Sequence, residues 1–262
     1  MADTVRYDVT EGLATIVLNR PDAMNALDTE LKESLRDTLR QAADDATVRA
    51  VLLTGSGRAF CVGQDLKEHV SALQESGGDA LKTVGRHYNP ITLAIAAMPK
   101  PVVAAVNGVA AGAGAGFAFA ADWRVAADTA AFHTSFAGVA LSTDSGVAWT
   151  LPRLVGPSRA SDLLLFPRTV RAEEALALGL VNRVVPAQEL AAEAGAVARE
   201  LASGPTGAYA AMKEALAYGA SHSLAETLDK EAALQLRVGG SADHRIAVEA
   251  FVRKEPPRFT GR

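Results

Sequence analysis

The chain has 262 residues, 49% of them hydrophobic and 21% charged, with a net charge of −4 and an isoelectric point near 5.8. That balance suits one soluble α/β domain with an appendage, and its scattered Lys and Arg give no footprint for nucleic acid. A single cysteine, Cys61, rules out an intramolecular disulfide and a Cys-based metal cluster, which favours a reducing cytoplasm.

The N-terminal residues Met1–Arg6 show no basic region leading into an apolar run. Thr4 to Asn19 then alternates around Glu11-Gly12, which predicts a β-hairpin. From Asp28 to Ala43 the residues Leu31, Leu35 and Leu39 recur every four positions, predicting an amphipathic helix capped by Asp28 or Thr29. "RAVLLTGSG" is a continuous apolar run of strand length, so the chain opens as a β-helix-β alternation. "PVVAAV" at Pro101–Val106 predicts another buried strand, and "WRVAADTAAF" a short strand pair. The run Val102–Ala121 has the length of a membrane span, but its glycines and the prolines before it favour strand, turn and helix. Helices are expected at Gly146–Leu154, Arg159–Leu165, Ala172–Leu178, Gln188–Ala202, Gly207–Tyr218 and Leu224–Val238, and Gly77-Gly78 suggests a loop. No internal sequence repeat is visible.

The most unusual stretch is "AAGAGAGFAFAADW" at Ala110–Trp123, with Gly112, Gly114 and Gly116 running into an apolar segment. Phe117 stands where a dinucleotide fingerprint needs its third glycine, and no Gly-Lys-Ser/Thr of a phosphate-binding loop exists. What remains is a strand that ends, glycines that permit a tight turn, and a helix whose free N–H groups face a negative oxygen. Tight helix packing is the competing explanation of the small residues. "RAFCVGQDLKE" at Arg58–Glu68 also follows a buried strand, carries Gly63 at a turn and enters a helix. Two such turns would aim two main-chain N–H groups at one carbonyl oxygen, as an oxyanion hole.

"AFCVGQDL", "PKPVVAAVNGVAAGAG", "LPRLVG" and "ALALGLVNRVV", in this order and spacing, resemble the enoyl-CoA hydratase/isomerase (crotonase) superfamily from about Val5 to the C-terminus. The resemblance implies an α/β fold, a crotonase-type spiral of repeated ββα units with a C-terminal helical trimerisation region. It divides the chain into a core with the acyl-CoA site over 1–200 and, over 201–262, helices for oligomerisation and an active-site lid. It implies a homotrimer or hexamer acting on a small-molecule acyl-CoA, with no nucleic acid, membrane, metal or prosthetic group. By matching position, Gln64 and Ala113 supply the N–H donors for the thioester oxygen. Ala23, Met24, Asp65 and Leu66 line the coenzyme A path, Lys67 lies near its entrance, and Gly112, Gly116 and Phe136 border the substrate.

Hydratases of this family carry two glutamates, and the matching positions here are Gly116 and Phe136, neither of which moves protons. One carboxylate remains nearby, Asp144 in "GVALSTDSGVAW". It reads either as the cap of the following helix or as a single proton-transfer base beside the acyl carbon. The expected reaction is therefore isomerisation of an acyl-CoA, by a double-bond shift or the opening of a ring epoxide. "YNP" at Tyr88–Pro90, "DSG" at Asp144–Gly146 and the C-terminal "SADHRIAVEAFVRKEPPRFTGR" resemble the 1,2-epoxyphenylacetyl-CoA isomerase branch. The alternatives are a 2-enoyl-CoA hydratase, an aryl-CoA dehalogenase with Asp144 as nucleophile, and a non-catalytic acyl-CoA-binding oligomer. His87, His133 and Cys61 read as structural, Ser142, Thr143 and Ser145 as capping residues, and Arg253 and Lys254 as a solvated face.

Overall fold

The computed structural model describes residues 3–262, with Ser76 described by its backbone alone. Met1 and Ala2, part of the N-terminal stretch read above for a leader, lie outside the described residues.

The hairpin forms as its alternation predicts: β1 (Val5–Thr10) pairs antiparallel with β2 (Leu13–Leu18) around Glu11-Gly12. Asp28 caps α1 (Thr29–Asp44), its carboxylate accepting from the Leu31 N–H at 2.9 Å, and the leucine stripe is fully buried. Next come β3 (Ala50–Gly55), β4 (Ala59–Cys61) and α2 (Leu66–Ser76). Gly77–Lys82, expected as a loop, winds as 3-10 helix and leads through a π turn at Val84–Tyr88 into α3 (Asn89–Ala96).

The Gly/Ala region resolves into β5 (Val102–Val106), β6 (Val109–Ala111) and α4 (Ala113–Ala120), followed by β7 (Trp123–Ala127) and β8 (Ala131–His133). Two helices follow, α5 (Val147–Val155) and α6 (Pro157–Leu165), then β9 (Val170–Arg171), α7 (Ala172–Leu178), β10 (Arg183–Val185) and α8 (Leu190–Ser203). The chain ends in α9 (Thr206–Gly219), α10 (Leu224–Gly239) and α11 (Ala242–Arg253).

Two sheets result. The larger has the order β1-β2-β3-β5-β7-β10 and is parallel from β2 onward; the smaller has the order β4-β6-β8-β9. Each turn of chain lays one strand in the large sheet and the next in the small one: β3 then β4, β5 then β6, β7 then β8. That is the expected spiral of ββα units. Its repeat is geometric and leaves no trace in the sequence, because the connections between turns differ in length and content. β3 and β5 read as unbroken apolar runs since both faces of a parallel sheet are covered, and α8 packs against β3, β5 and β7.

The crossings between sheets are held by two side-chain amides, buried Asn25 and half-buried Asn107. Asn25 donates through Nδ2 to the Ala59 carbonyl at 2.8 Å and the Phe60 carbonyl at 3.1 Å. Asn107 donates to the Gly57 and Ala59 carbonyls, both at 3.0 Å. These bonds give the carbonyls at the crossings side-chain donors, and they fix the strand ends from which the site is built.

Candidate active site

Neighbouring strands β4 and β6 end side by side in the small sheet, so the turns that follow them meet. After β4, a parallel bridge pairs Gln64 with Leu27: the Leu27 N–H donates to the Gly63 carbonyl at 2.8 Å, and the Asp65 N–H to the Leu27 carbonyl at 3.2 Å. Bonds of a parallel bridge flank the paired residue, so the N–H of Gln64 points to the opposite side. Gly63 adopts φ +85°, and a Cβ there would stand 3.0 Å from the Ala111 carbonyl and 3.5 Å from the Ala113 nitrogen. Only glycine lets the turns approach so closely.

After β6, Gly112 (φ +51°) turns the chain into α4 and donates its own N–H to the His133 carbonyl at 3.0 Å. Ala113 is the first residue of that helix, so its N–H has no acceptor in the preceding turn. Among the described residues, neither the Gln64 nor the Ala113 N–H has an acceptor. Two unsatisfied donors therefore lie at adjoining turns, one at the positive end of a buried helix.

Asp144 lies in the loop between β8 and α5. It is not the cap of α5: that place belongs to Gly146, which has no side-chain cap bond. Ser145 (φ +49°) and Gly146 (φ +71°) are both left-handed, and the tight turn they make lets the Asp144 carbonyl accept the Val147 N–H at 3.0 Å. Among the described residues the Asp144 Oδ1 is buried with no hydrogen-bond partner. Burial pushes this carboxyl above the ordinary carboxylate range, opposed only by the neighbouring Ser145 hydroxyl. No aligned hydrogen bond joins the two, and Ser145 Oγ is likewise buried and unpartnered.

Gly116 fits this loop onto α4, one turn after Ala113. A Cβ at Gly116 would stand 2.6 Å from Ser145 Cβ, 2.8 Å from the Ser145 carbonyl oxygen and 3.1 Å from Val147 Cγ2. The space a glutamate would need is filled by the Ser145 turn. Gly116→Glu is therefore expected to lower stability by about 1–3 kcal/mol or more in urea unfolding, as overpacking does. Stability equal to the unaltered protein would show that the Ser145 turn yields freely.

The proposed coenzyme A residues come together from two loops. Met24 (φ +53°) ends the 3-10 turn that holds Ala23, and both are half-buried. Asp65 accepts from the Lys67 N–H at 3.0 Å at the start of α2 and pairs with Arg20 at 3.1 Å, while Arg20 also reaches Asp28 at 3.0 Å. Burial works to raise the Asp65 carboxyl, but Arg20 and the two α2 N–H groups hold it below the usual range. Leu66, 69% exposed, and Lys67 stand at the open rim. Phe136 is buried in the core at a 3-10 turn in the Asp144 loop.

The other reactive side chains are occupied or suppressed. Burial pushes the Cys61 thiol up to about 12, which removes it as a nucleophile. His133 bonds Ser135 at 2.8 Å, and His87 bonds Thr83 at 2.9 Å through Nδ1, while its buried Nε2 lies 3.8 Å from Glu33 with no hydrogen-bond partner among the described residues. Among the described residues there is no group of three or more His, Cys, Asp or Glu placed to hold a metal. No helix in them is long and apolar enough to cross a membrane.

Tyr88 was noted in the sequence only as part of "YNP", yet it sits between all three parts of the site. It is 2% exposed, donates its hydroxyl to Gln64 Oε1, and meets Phe117 of α4 edge-on, with ring centroids 6.2 Å apart. Burial first, and the charge of Asp144 second, hold the phenol well above its usual range.

Comparison with known proteins gives this arrangement a family. The profile of "Enoyl-CoA hydratase/isomerase" matches residues 8–262. The chain belongs to the enoyl-CoA hydratase/isomerase family. A probable enoyl-CoA hydratase of Rhodobacter capsulatus is 47% identical over 99% of this chain and 98% of its own. The 1,2-epoxyphenylacetyl-CoA isomerase of Escherichia coli is 40% identical over the whole of both chains. Among solved structures, an enoyl-CoA hydratase/isomerase family member from Mycobacterium abscessus superposes with a TM-score of 0.95 at 46% identity, covering 98% of this chain and 100% of that one. The spiral is thus the family fold, and the protein is an acyl-CoA enzyme of the hydratase/isomerase group.

Proposed function

We propose that the protein is an acyl-CoA isomerase that uses Asp144 as its only acid/base. The Gln64 and Ala113 N–H groups donate to the thioester oxygen. The Asp144 carboxylate removes a proton from the carbon next to the thioester, and the electron pair moves onto that oxygen to form a dienolate. The same carboxyl, now protonated, returns the proton two carbons further along. One double bond shifts, and nothing is gained or lost. On a ring-epoxide substrate the enolate pair would instead form a carbon–carbon double bond as the epoxide C–O bond breaks, and the Asp144 carboxyl would return its proton to the product, so that the change is again an isomerisation.

The observation that carries this reading is the state of Asp144: a buried carboxylate oxygen with no partner, capping nothing, beside a helix whose glycine excludes a second carboxylate. The likeness to the E. coli isomerase supports it. The name of the R. capsulatus relative favours hydration instead, a reaction that needs a water held and activated at this site. We place the coenzyme A path along Ala23, Met24, Asp65, Leu66 and Lys67, with Gly112, Gly116 and Phe136 behind the acyl group.

The test is a coupled assay of 3-enoyl-CoA isomerisation with crotonyl-CoA hydration run in parallel. Isomerisation with negligible hydration is expected, and efficient hydration would overturn the proposal. Self-association through the C-terminal helices belongs to the same proposal. Leu216, Leu236 and Phe251 there are 77%, 82% and 85% exposed. Sedimentation should accordingly find a species larger than one chain; a monomer would contradict it.

A further inference from the structure

We infer that Tyr88 is a positioning residue that sets the direction of the Gln64 N–H, and with it the polarisation of the thioester carbonyl. The inference rests on the oxyanion part of the function proposed above. It does not depend on which reaction the enolate serves.

The peptide between Gly63 and Gln64 is intrinsically loose, because Gly63 at φ +85° has no side chain to restrict it. One edge of that peptide is tied, the Gly63 carbonyl accepting from the Leu27 N–H at 2.8 Å. The other edge carries the free N–H; beyond Gln64 the Asp65 N–H bonds the Leu27 carbonyl at 3.2 Å, and the Gln64 side chain adds a restraint on the side of the free N–H. Its Oε1 accepts the hydroxyl hydrogen of Tyr88, which fixes the Gln64 backbone from beyond the peptide plane.

Tyr88 is itself held on every side. Its ring packs edge-on against Phe117 of α4, the same helix that presents the Ala113 N–H, so one side chain spans both turns. It leaves the chain from a π turn in which the Asn89 N–H bonds back to the Val84 carbonyl. Such widened turns re-aim side chains and recur at functional sites. Here the turn sends consecutive residues to different elements. His87 bonds Thr83 at 2.9 Å, and Thr83 accepts from Lys32 of α1 at 3.2 Å, while Lys32 pairs with Glu68 of α2 at 2.8 Å. The strut thus has a rigid base. Because burial and the Asp144 charge keep its phenol protonated, Tyr88 donates at every working pH and takes no part in proton transfer.

The test uses Tyr88→Phe, which keeps the ring and its packing and removes the hydroxyl alone. Its isomerisation kcat is expected to fall about 10-fold or more, with KM within about twofold and thermal stability little changed, as for a loss confined to the transition state. Gln64→Ala, which keeps the backbone N–H, should show a similar loss, and the double variant should lose no more than either single change. Multiplying losses, a change confined to KM, or an unaltered kcat would overturn the assignment.

A second readout needs no turnover. 4-Aminobenzoyl-CoA can be neither hydrated nor isomerised, and its absorption moves to longer wavelength when the carbonyl is polarised. A red shift on binding to the unaltered protein that shrinks in Tyr88→Phe supports the positioning role. An equal shift in both overturns it, and a bound ligand with no shift in either would remove the oxyanion reading itself. The wavelength shift also tells failure of the positioning role apart from failure of the isomerase reading, which the parallel hydration assay reports.

Discussion

Replacing Asp144 with Asn is expected to lower the isomerisation rate by about 10²–10⁴-fold, the range for loss of a positioned acid/base, while leaving the protein folded. The amide matches the carboxylate in size but cannot take up and return a proton. Its effect on stability separates this role from a structural one. Burial raises the Asp144 pKa in the folded chain, so the folded state keeps its proton to higher pH than the unfolded state does. The linked stability is present below the ordinary carboxylate pKa and is lost as pH rises through the raised one. Where the carboxyl is ionised, the native protein carries a charge whose Oδ1 is buried with no partner among the described residues, and Asn removes that charge. Thermal unfolding of Asp144→Asn is accordingly expected at or above the temperature of the unaltered protein. A lower midpoint with activity retained would make Asp144 a structural residue. The unaltered enzyme should also lose activity on acidification, since the base must be ionised, and the fall should lie above the usual carboxylate range near pH ~4.

Ala113→Pro is expected to reduce kcat by about 10²–10³-fold, the cost of deleting one oxyanion donor. The substitution is possible because Ala113 is the first residue of α4, where proline is tolerated and its missing N–H breaks no helical bond. Gly112 before it, at φ +51° and ψ −124°, stays clear of the helical region that a following proline disfavours. The circular dichroism of the variant should match the unaltered protein even as turnover collapses. The ring also occupies the space into which the N–H points, so polarisation of a bound thioester should be lost with the rate. Full activity in a folded Ala113→Pro variant would show that this N–H does not meet the substrate.

Much of the fold that carries the candidate site was legible in the chain because local chemistry dictated it. The hairpin at Glu11-Gly12, the leucine stripe of α1 and the apolar β3 and β5 follow from periodicity, and "AAGAGAG" marked a turn into a helix N-terminus. The short strands β4, β6, β9 and β10 were missed, since two or three residues carry no period and are fixed by partners distant in sequence. Helix α11 was also missed; its residues were read only as a matching C-terminal segment. The role of Gly116 is a tertiary fact, because the clash that excludes a side chain there comes from Ser145. Tyr88 escaped for the same reason. Nothing around "RHYNP" signals a π turn, and its bond to Gln64 joins residues separated by α2. A cap was a fair expectation for Asp144, and left-handed Ser145 and Gly146 are what take it away from the helix end.

A single carboxyl that both removes and returns the proton would carry an isotopic label from one carbon to the other. A 3-enoyl-CoA carrying deuterium at C2 would be isomerised in ordinary water and the product analysed for deuterium at C4. With Asp144 Oδ1 shielded from solvent, part of the label removed from C2 is expected at C4 in the first turnovers. Complete replacement by solvent hydrogen, from the earliest product onward, would contradict the single-base account and require a second proton donor open to water.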